Sequence, residues 1–220
     1  MYLYRMKVLV TAATAPEIKP FMSWLEEEVT INGQIEVEVV ITGIGMFSTA
    51  YHLGKYFAKK RPDLAIQAGI AGSFQHSWPI GETVVIAEEV LGDLGVEDND
   101  QYKDLFDIGL WKTDTPPFTH NYLPNTSALA PQLRRAKGVT VNLVSGSTAT
   151  ITRLEEKYQP DIESMEGAAF HYCCLMENIP FLQLRTISNY VEVRDKSKWN
   201  IPLAVTNLNN TLRALLQEIK

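Results

Sequence analysis

The stretch that most constrains the fold is residues 160–192, which reads PDIESMEGAAFHYCCLMENIPFLQLRTISNYVE. The run FLQLRTI (181–187) has the continuous apolar pattern of a buried strand. The preceding run GAAFHYCCLM (167–176) has the small and apolar residues of a helix that packs on a sheet. A strand, a polar turn, a helix and a second strand form the repeating unit of α/β domains, so the sequence predicts a helix-covered sheet here.

Polar side chains lie at both strand ends of this unit. Glu163, Met165 and Glu166 stand at the first strand-to-helix junction, and Ser188 and Asn189 follow the second strand. Ligands of open α/β sheets bind beyond the carboxyl ends of the strands. We therefore expect the two groups of side chains to line one pocket.

The remainder of the chain repeats the alternation of strands and helices. Buried-strand patterns occupy residues 7–13, 63–74, 81–92 and the start of 139–150, and helix starts are indicated at Pro16, after residues 43–46, at Ser147 or Thr148, and at Asn200. This rhythm predicts an α/β fold with a single domain over residues 1–220. We expect a three-layer α/β/α arrangement around a mixed, largely parallel sheet.

Residues 93–136 interrupt this rhythm with weak periodicity, several Asp and Pro residues and scattered aromatics. A structureless stretch of this length in a compact domain is usually functional or mobile. The segment could cover the pocket, form a subunit interface or be an ordinary surface excursion. The sequence leaves these three alternatives open.

Composition limits the possible partners. The net charge is −6 and no run of basic residues occurs, which argues against nucleic acid and anionic membranes as partners. No span approaches the roughly 20 apolar residues of a membrane helix. The two cysteines, Cys173 and Cys174, are adjacent in a predicted helix and cannot form a disulfide with each other, so we expect a cytoplasmic location. A small molecule is the expected partner.

Cofactor and metal motifs are weak. Gly43 and Gly45 supply half of a dinucleotide fingerprint, but no third glycine follows at the required spacing, so we expect no NAD and no other cofactor. The four histidines are dispersed and lack the spacing of metal ligands, so no metal site is predicted. What remains is a set of carboxylates and small-residue turns at strand ends, which suit a hydroxyl-rich substrate.

Five short motifs occur together along the chain: TGIG (42–45), AGIAG (68–72), VSGS (144–147), ESMEGAA (163–169) and RTISNYVE (185–192). In this order and at this spacing the chain resembles the nucleoside phosphorylase and nucleosidase superfamily over nearly its full length. The resemblance implies a nucleoside phosphorylase-like fold whose central sheet is partly barrel-like. It also implies a purine nucleoside substrate and assembly as a homodimer or larger homo-oligomer.

The resemblance also implies roles for individual residues. Glu17 matches the carboxylate that activates the attacking water in hydrolytic members, and Asn189 stands where the leaving purine is bound, so these two are the candidate catalytic residues. Met165 and Glu166 match the ribose site. The other candidate substrate-binding residues are Ile44, Ile70, Ala71, Gly72, Thr150, Ser164, Ser188 and Glu192.

Asn189 departs from the adenine-specific members, which carry Asp at this position. An amide has no proton to give at neutral pH, but it can pair with N7 and O6 of a 6-oxopurine. The departure therefore favours hypoxanthine over adenine as the leaving base. Three proton sources stay open: a water relay, Glu192, or departure of the base as a stabilised anion.

The acceptor of the sugar is expected to be water. Phosphorolysis requires a cationic phosphate site, whereas the turns TGIG and QAGIAG contain no arginine and Gln67 stands where phosphorylases of the superfamily commonly have one. Arg185 is expected to be a structural ion-pair partner. Two alternatives remain, an adenine-releasing nucleosidase and a catalytically silent nucleoside-binding homologue.

Overall fold

The computed structural model describes residues 5–27 and 33–219. Its strands are β1 (Met6–Ala12), β2 (Ile35–Ile41), β3 (Leu64–Ser73), β4 (Thr83–Leu91), β5 (Gly95–Asp98), β6 (Gln101–Asp104), β7 (Leu123–Pro124), β8 (Arg135–Thr140), β9 (Ile162–Ser164) and β10 (Phe181–Tyr190). Its α-helices are α1 (Ala15–Glu27), α2 (Met46–Phe57), α3 (Thr148–Tyr158), α4 (Gly167–Met176) and α5 (Ile201–Glu218), and a 3₁₀ turn spans Lys196–Lys198.

Strands β3, β10, β4, β8 and β9 form a closed ring. Strand β3 pairs in parallel with β10, β10 pairs antiparallel with β4, and β4 pairs in parallel with β8. Strand β8 then pairs in parallel with β9, which returns antiparallel to β3. Strands β1 and β2 extend the sheet from β3 as parallel neighbours. The expectation of a mixed, partly barrel-like sheet is therefore confirmed.

Helices cover both faces of the β1–β3 part of the sheet. Because side chains alternate along a strand, Val8 and Val10 face α1 and α5, where they pack with Phe21 and Leu212. Leu9, between them, faces the opposite layer. The three layers are thus dictated by a strand that is apolar on both sides, as the continuous apolar run of 7–13 indicates.

The opposite layer consists of α2 and α4. Leu53 of α2 and Phe170 of α4 pack with Leu9, and all three side chains are fully buried. Truncation of such a side chain to Ala costs about 2–5 kcal/mol.

Residues 93–136 contain more regular structure than the sequence indicates. Strands β5 and β6 form an antiparallel hairpin, and β7 pairs with β4. The aromatic rings of Phe106, Trp111 and Phe118 pack against one another, with centroids 4.8–5.6 Å apart. The segment is therefore a folded appendage with its own apolar cluster rather than a structureless excursion.

Within residues 5–27 and 33–219, none of the helices is both long enough and apolar enough to cross a bilayer.

Candidate active site

A cavity of about 410 Å³ lies where β1, β3, β9 and β10 end and α1, α4 and α5 begin. Most of the candidate site residues line it, namely Glu17, Ile44, Ile70, Ala71, Gly72, Ser164, Met165, Glu166, Ser188 and Asn189. The wall is completed by Ala13, Thr14, Pro16, Val144, Glu163, Trp199, Ile201 and Val205. Residues far apart in sequence thus converge on one pocket.

Two candidates, Thr150 and Glu192, lie outside this cavity wall. Thr150 sits in the first turn of α3, where its N–H and hydroxyl bond with the capping hydroxyl of Ser147. Glu192 forms a 2.7 Å ion pair with Lys198, and a third of its side chain is exposed. A helix cap and a surface ion pair thus engage these two side chains, and neither lines the cavity.

Glu17 is held in the first turn of α1 by backbone and side-chain donors. Its Oε2 accepts hydrogen bonds from the N–H (2.9 Å) and the hydroxyl (2.8 Å) of Thr14. Its Oε1 accepts a longer one, 3.3 Å, from the N–H of Ile70 on β3. The positive end of a helix stabilises a carboxylate in this position. The Glu17 carboxyl group is therefore held in place at the junction of α1 and β3.

A kink in α1 sets the direction of this first turn. Ile18 has non-helical dihedrals (φ −122°, ψ 15°), and Pro20 follows within the helix. Asn209 of α5 bridges the break, because its Nδ2 donates to the Glu17 carbonyl oxygen (2.8 Å) and its Oδ1 accepts from the Phe21 N–H (2.9 Å). The backbone groups that the kink frees are thus satisfied by one buried side chain.

Glu166 is a buried carboxylate at the start of α4, only 5% exposed. Its Oε1 accepts from the Gly45 N–H (3.0 Å), and its Oε2 forms an ion pair with Arg185 Nη1 (3.4 Å). Arg185 also donates to Gln67 Oε1 at 2.8 Å. A carboxylate has about four acceptor positions, so Glu166 retains capacity for further donors such as hydroxyls. The expected structural role of Arg185 agrees with this pairing.

Gly69 creates the space for the Arg185 side chain. A Cβ added at this position would lie 2.2 Å from Arg185 Nη1. Arg185 is 1% exposed and tied to Gln67 and Glu166, so it has no free space into which to retreat. The first glycine of the AGIAG motif, Gly69, is thus required because it packs against the charged side chain of Arg185.

A β-bulge aims Asn189 at the cavity. The register of β10 against β3 shifts between Ile187 and Asn189, which brings Asn189 opposite Gly72. Bulges of this kind redirect side chains near binding sites. The Asn189 Nδ2 donates to the Tyr190 carbonyl oxygen (2.9 Å), and its Oδ1 lies 2.8 Å from the Ser188 hydroxyl. The amide orientation is therefore fixed by its neighbours.

Glu163 lines the cavity, as expected for a polar residue at this strand-to-helix junction, although the resemblance assigns it no role. Its Oε1 accepts from the Ser145 N–H at 3.0 Å, whereas Oε2 is buried and has no hydrogen-bond partner among the described residues. Burial raises the pKa of this carboxyl group. In the sequence, Glu163 is an acidic residue next to apolar strand residues. A buried carboxylate of this kind needs a hydrogen-bond or charge partner, so the pattern indicates a polar site.

A second buried acid, Glu89, lies outside the cavity beneath α4. Its two oxygens accept from Gln183 Nε2 and the Thr140 hydroxyl, each at 2.9 Å. Burial raises its pKa to about 7. In the same region burial lowers the pKa of His171 to about 3, so this imidazole is neutral. These groups form an internal polar network behind the site.

The cysteines are unsuited to nucleophilic chemistry. Both are free thiols in α4, and burial raises the pKa of Cys173 to about 11 and that of Cys174 well above the ordinary value. A thiol in such surroundings stays protonated and unreactive. The chemistry of the cavity therefore depends on its carboxylates and amide.

The walls of the cavity carry no cationic side chain among the described residues. Arg185, the buried cation behind Glu166, is already engaged by two acceptors. Apolar side chains make up much of the remaining wall: Ile44, Ile70, Val144, Trp199, Ile201 and Val205. The wall of the cavity thus combines carboxylate and amide groups with apolar side chains.

Comparison with known proteins matches residues 4–217 to the family model of the phosphorylase superfamily. A futalosine hydrolase of Thermus thermophilus is 32% identical over 80% of this chain and 80% of that protein. A 5'-methylthioadenosine/S-adenosylhomocysteine nucleosidase of Maridesulfovibrio salexigens is 26% identical over 96% of this chain and 94% of that protein. The structure of a futalosine hydrolase of Helicobacter pylori superposes with a TM-score of 0.79 at 17% identity, over 97% of this chain and 98% of that one.

Proposed function

The chain belongs to the phosphorylase superfamily, and from this premise we propose that it hydrolyses the N-glycosidic bond of futalosine. The products are hypoxanthine and dehypoxanthinyl futalosine, a step that the resemblance assigns to menaquinone biosynthesis. Relatives named futalosine hydrolase, 32% identical over most of the chain, support this assignment. The enzyme is accordingly an N-glycosidase that acts on a small purine nucleoside.

The observation that carries the proposal is the convergence of Glu17, Glu166 and Asn189 on one cavity. Cleavage of an N-glycosidic bond passes through an oxocarbenium-like state, which needs a positioned water on one side of C1′ and a stabilised base on the other. Two carboxylates and an amide are the groups that such a reaction requires. Their separation in sequence makes chance juxtaposition a poor explanation.

In the proposed mechanism Glu17 orients the attacking water and takes its proton. The water oxygen forms a bond to C1′ while the C1′–N9 bond breaks, and the bonding electrons leave with the purine. Thr14 and Ile70 hold the Glu17 carboxylate by hydrogen bonds of 2.8–3.3 Å, which fixes the direction of attack. Rigid positioning of this kind lowers the entropic part of the barrier.

Glu166 is proposed to bind the ribose hydroxyls. Gly45 and Arg185 occupy one acceptor position on each of its oxygens, which leaves the others for the 2′ and 3′ hydroxyls. Met165 supplies an apolar face for the sugar, and Ile70 lies on the same cavity wall. The positive charge that develops on the sugar is stabilised by the two nearby carboxylates.

Asn189 is proposed to bind the N7 and O6 edge of the leaving hypoxanthine. Its amide has no acidic proton, so we propose that the base departs as an anion that hydrogen bonds stabilise and then takes a proton from water. The surface ion pair with Lys198 engages Glu192, which makes it a poor candidate for the proton source.

Water is the proposed acceptor because the cavity wall, within the described residues, offers no lysine or arginine to bind phosphate. Gln67 stays buried and accepts from Arg185, so it is not directed at a ligand. Both observations agree with hydrolysis rather than phosphorolysis.

The alternative function is that of a methylthioadenosine/adenosylhomocysteine nucleosidase, favoured by relatives such as the one 26% identical over 96% of the chain. Asn189 counts against it, since an amide cannot protonate adenine. A catalytically silent nucleoside-binding homologue is the other alternative, which retention of Glu17 and Glu166 in the cavity disfavours.

We further propose a homodimer or larger homo-oligomer that works in the cytoplasm. Three large apolar side chains are strongly exposed: Ile44 (62%), which lines the cavity, and Phe47 (89%) and Leu143 (78%), which are close in sequence to the wall residues Ile44 and Val144. Exposed apolar patches of this kind mark interaction sites. A subunit covering them would also shield the apolar end of the substrate. Free cysteines agree with a reducing compartment.

The decisive test is a chromatographic assay of base release from futalosine in phosphate-free buffer. We expect hypoxanthine as product, with Glu166→Gln strongly impaired and with no stimulation by added phosphate. Faster release of adenine from methylthioadenosine than of hypoxanthine from futalosine would contradict the assignment. A complete lack of turnover would support the silent homologue.

A further inference from the structure

The side chain of Asn209 occupies the break in helix α1. In a regular α-helix the N–H of each residue donates to the carbonyl oxygen four residues earlier, so Phe21 would donate to Glu17. Here both groups bond to the Asn209 amide, because the Phe21 N–H donates to Oδ1 (2.9 Å) and Nδ2 donates to the Glu17 carbonyl oxygen (2.8 Å). A side chain inserted into the hydrogen-bond ladder is one cause of a sharp helix kink.

The amide of Asn209 is itself held where it meets α1. Asn209 is 1% exposed, and its Nδ2 also donates to the Val205 carbonyl oxygen of its own helix (2.6 Å). The two N–H groups of the amide thus match two acceptors, and its oxygen matches one donor. Val205 lines the cavity, so one side chain joins α1 to the part of α5 that forms the cavity wall.

Helix α5 also holds α1 on the other side of the kink. Arg213 lies one turn after Asn209 and donates to the Pro20 carbonyl oxygen. Ile18 and Phe21 are fully buried in the same core cluster as Leu212 of α5. The bend in α1 is therefore part of its packing against α5.

Glu17 is held from two sides at this bend. Its carbonyl oxygen bonds to Asn209 of α5, and its carboxylate accepts from Thr14 and from Ile70 of β3. Without the inserted amide, the Glu17 carbonyl oxygen and the Phe21 N–H are free to bond to each other, as in a regular helix. The first turn of α1 would then rotate and carry the carboxylate away from Ile70.

We propose that Asn209 is a positioning residue for the proposed reaction, because its amide sets the direction in which Glu17 faces the cavity. This role deepens the proposed function and rests on it for the part that Glu17 plays. Asn209 does not line the cavity, so it acts through Glu17. A displacement of about 1 Å in the groups that orient a reactant costs about 100-fold in rate, so a residue behind the site can control turnover.

Asn209→Leu tests this role, because leucine has a similar size and offers neither a donor nor an acceptor. We expect kcat for hypoxanthine release from futalosine to fall about 100-fold. KM should change less than about twofold, because Glu166 and Asn189 keep their own hydrogen bonds. Steady-state kinetics would measure both parameters.

Asn207→Leu is the matched control. Asn207 lies two positions earlier on α5, and its Nδ2 donates to the Gly81 carbonyl oxygen (2.8 Å), outside the cavity wall. Both variants lose hydrogen bonds between α5 and a neighbouring segment, so both should lower Tm by several degrees. Only Asn209→Leu should lower kcat. Equal losses of kcat in the two variants would show that Asn209 has a merely structural role.

Asn209→Asp keeps the test valid if the leucine variant does not fold. Its carboxylate still accepts from the Phe21 N–H but has no donor for the Glu17 carbonyl oxygen. We expect kcat to fall between about 10- and 100-fold, again with little change in KM. A folded variant of Asn209 with kcat within about threefold of the parent value would overturn the role.

Crystal structures separate this inference from the proposed function. In Asn209→Leu we expect the Phe21 N–H to donate to the Glu17 carbonyl oxygen, and the Glu17 carboxylate to lose the Ile70 N–H, now 3.3 Å away. A carboxylate in its parental position would overturn the role of Asn209, even if the parent hydrolyses futalosine. A displaced carboxylate, together with a parent that does not hydrolyse futalosine, would support Asn209 as the residue that positions Glu17 and refute the proposed reaction.

Discussion

The two ends of the cavity differ in how far their polar groups are satisfied. At the end that we assign to the sugar, Glu17 and Glu166 have both carboxylate oxygens bonded to protein donors. At the end that we assign to the base, Glu163 has one oxygen bonded and the other without a partner within the described chain. The carboxylates at the sugar end are therefore held on both oxygens, whereas the carboxylate at the base end is held on one.

This difference suggests a division of labour. Groups that are fixed before the substrate arrives are suited to stabilising a transition state, because they need no reorganisation. Groups with unused hydrogen-bonding capacity are suited to selecting among ligands. Substitutions at the sugar end should abolish turnover for every base, and those at the base end should alter which base is released.

The largest effect is expected for Glu17→Gln. The amide cannot take a proton from the attacking water, so kcat for hypoxanthine release should fall about 10³-fold with little change in KM. Steady-state kinetics on futalosine would measure both parameters. Glu26→Gln, an exposed position on the same helix, is the matched control and should leave kcat unaltered. A fall below tenfold for Glu17→Gln would remove Glu17 from the mechanism.

Two glycines of β3, Gly69 near the sugar end and Gly72 near the base end, allow the two ends to be compared through the free energy of unfolding. Gly69→Ala would bring a Cβ to 2.2 Å from the trapped Arg185 guanidinium, so the free energy of unfolding should decrease by about 3 kcal/mol. Gly72→Ala meets its neighbours at 3.0–3.2 Å and should decrease it by less than about 1 kcal/mol, while weakening hypoxanthine binding. Urea denaturation would measure both values. Equal destabilisation would mean that the two ends are equally rigid.

Asn189→Asp should change selectivity more than overall activity. The new carboxylate would face the Tyr190 carbonyl oxygen, now 2.9 Å from Nδ2, and the O6 atom of the base. We expect kcat/KM for futalosine to fall about 30-fold and the 6-amino analogue to be processed relatively better. Competition between the two substrates, followed by chromatography of the released bases, gives the ratio directly. Identical losses for both substrates would show that this amide does not contact the base.

The smallest effect on base release is expected at Glu89, a buried acid that does not line the cavity. Its pKa of about 7 lies above the ordinary value of 4.5, so its stabilising contribution is complete below pH 4.5 and is lost as pH rises through 7. Glu89→Gln should therefore be more stable than the parent at pH 8, by about 1–2 kcal/mol, and not at pH 4.5.

Thermal unfolding across this pH range would measure the difference. Glu88→Gln, on the same strand but paired with Lys137 at the surface, should not reproduce it. A pH-independent difference for Glu89→Gln would contradict the buried titration. The Glu89→Gln variant should release the same base as the parent. That result would show that the raised pKa of Glu89 affects stability without a role in substrate binding.

Much of the site could be predicted from local patterns. Glu166 follows β9, Asn189 lies in the last two residues of β10, and Glu17 follows a helix-start signal, so sequence position places all three near the carboxyl ends of strands. The mixed sheet and its two helical layers also follow from apolar strands that alternate with helices.

Other features depend on long-range pairing that the sequence does not reveal. The sequence places Glu163 at a strand-to-helix junction, but its position opposite Gly72 depends on the antiparallel pairing of β9 with β3, a register visible only in the folded sheet. The resemblance places Thr150 and Glu192 among the substrate-binding residues, whereas in the structure Thr150 takes part in a helix cap and Glu192 in an ion pair, and neither lines the cavity.

The turn of the hairpin β5–β6 has residues typical of a tight hairpin turn, but its strands lack the pattern that would identify them from the sequence. Its turn residues Asn99 and Asp100 both have positive φ angles, 52° and 62°, which suits Asn and Asp in tight hairpin turns. Its strands, however, are mostly exposed and lack the apolar alternation by which a strand is identified from sequence.

The kink in α1 has a consequence for the order in which the protein matures. Asn209 supports the turn that carries Glu17, and 192 positions separate the two residues. During synthesis from the amino end, the Glu17 carboxylate cannot reach its final position until α5 has left the ribosome and docked. Catalytic competence should therefore arrive late and all at once, so that no partly made chain cleaves nucleosides.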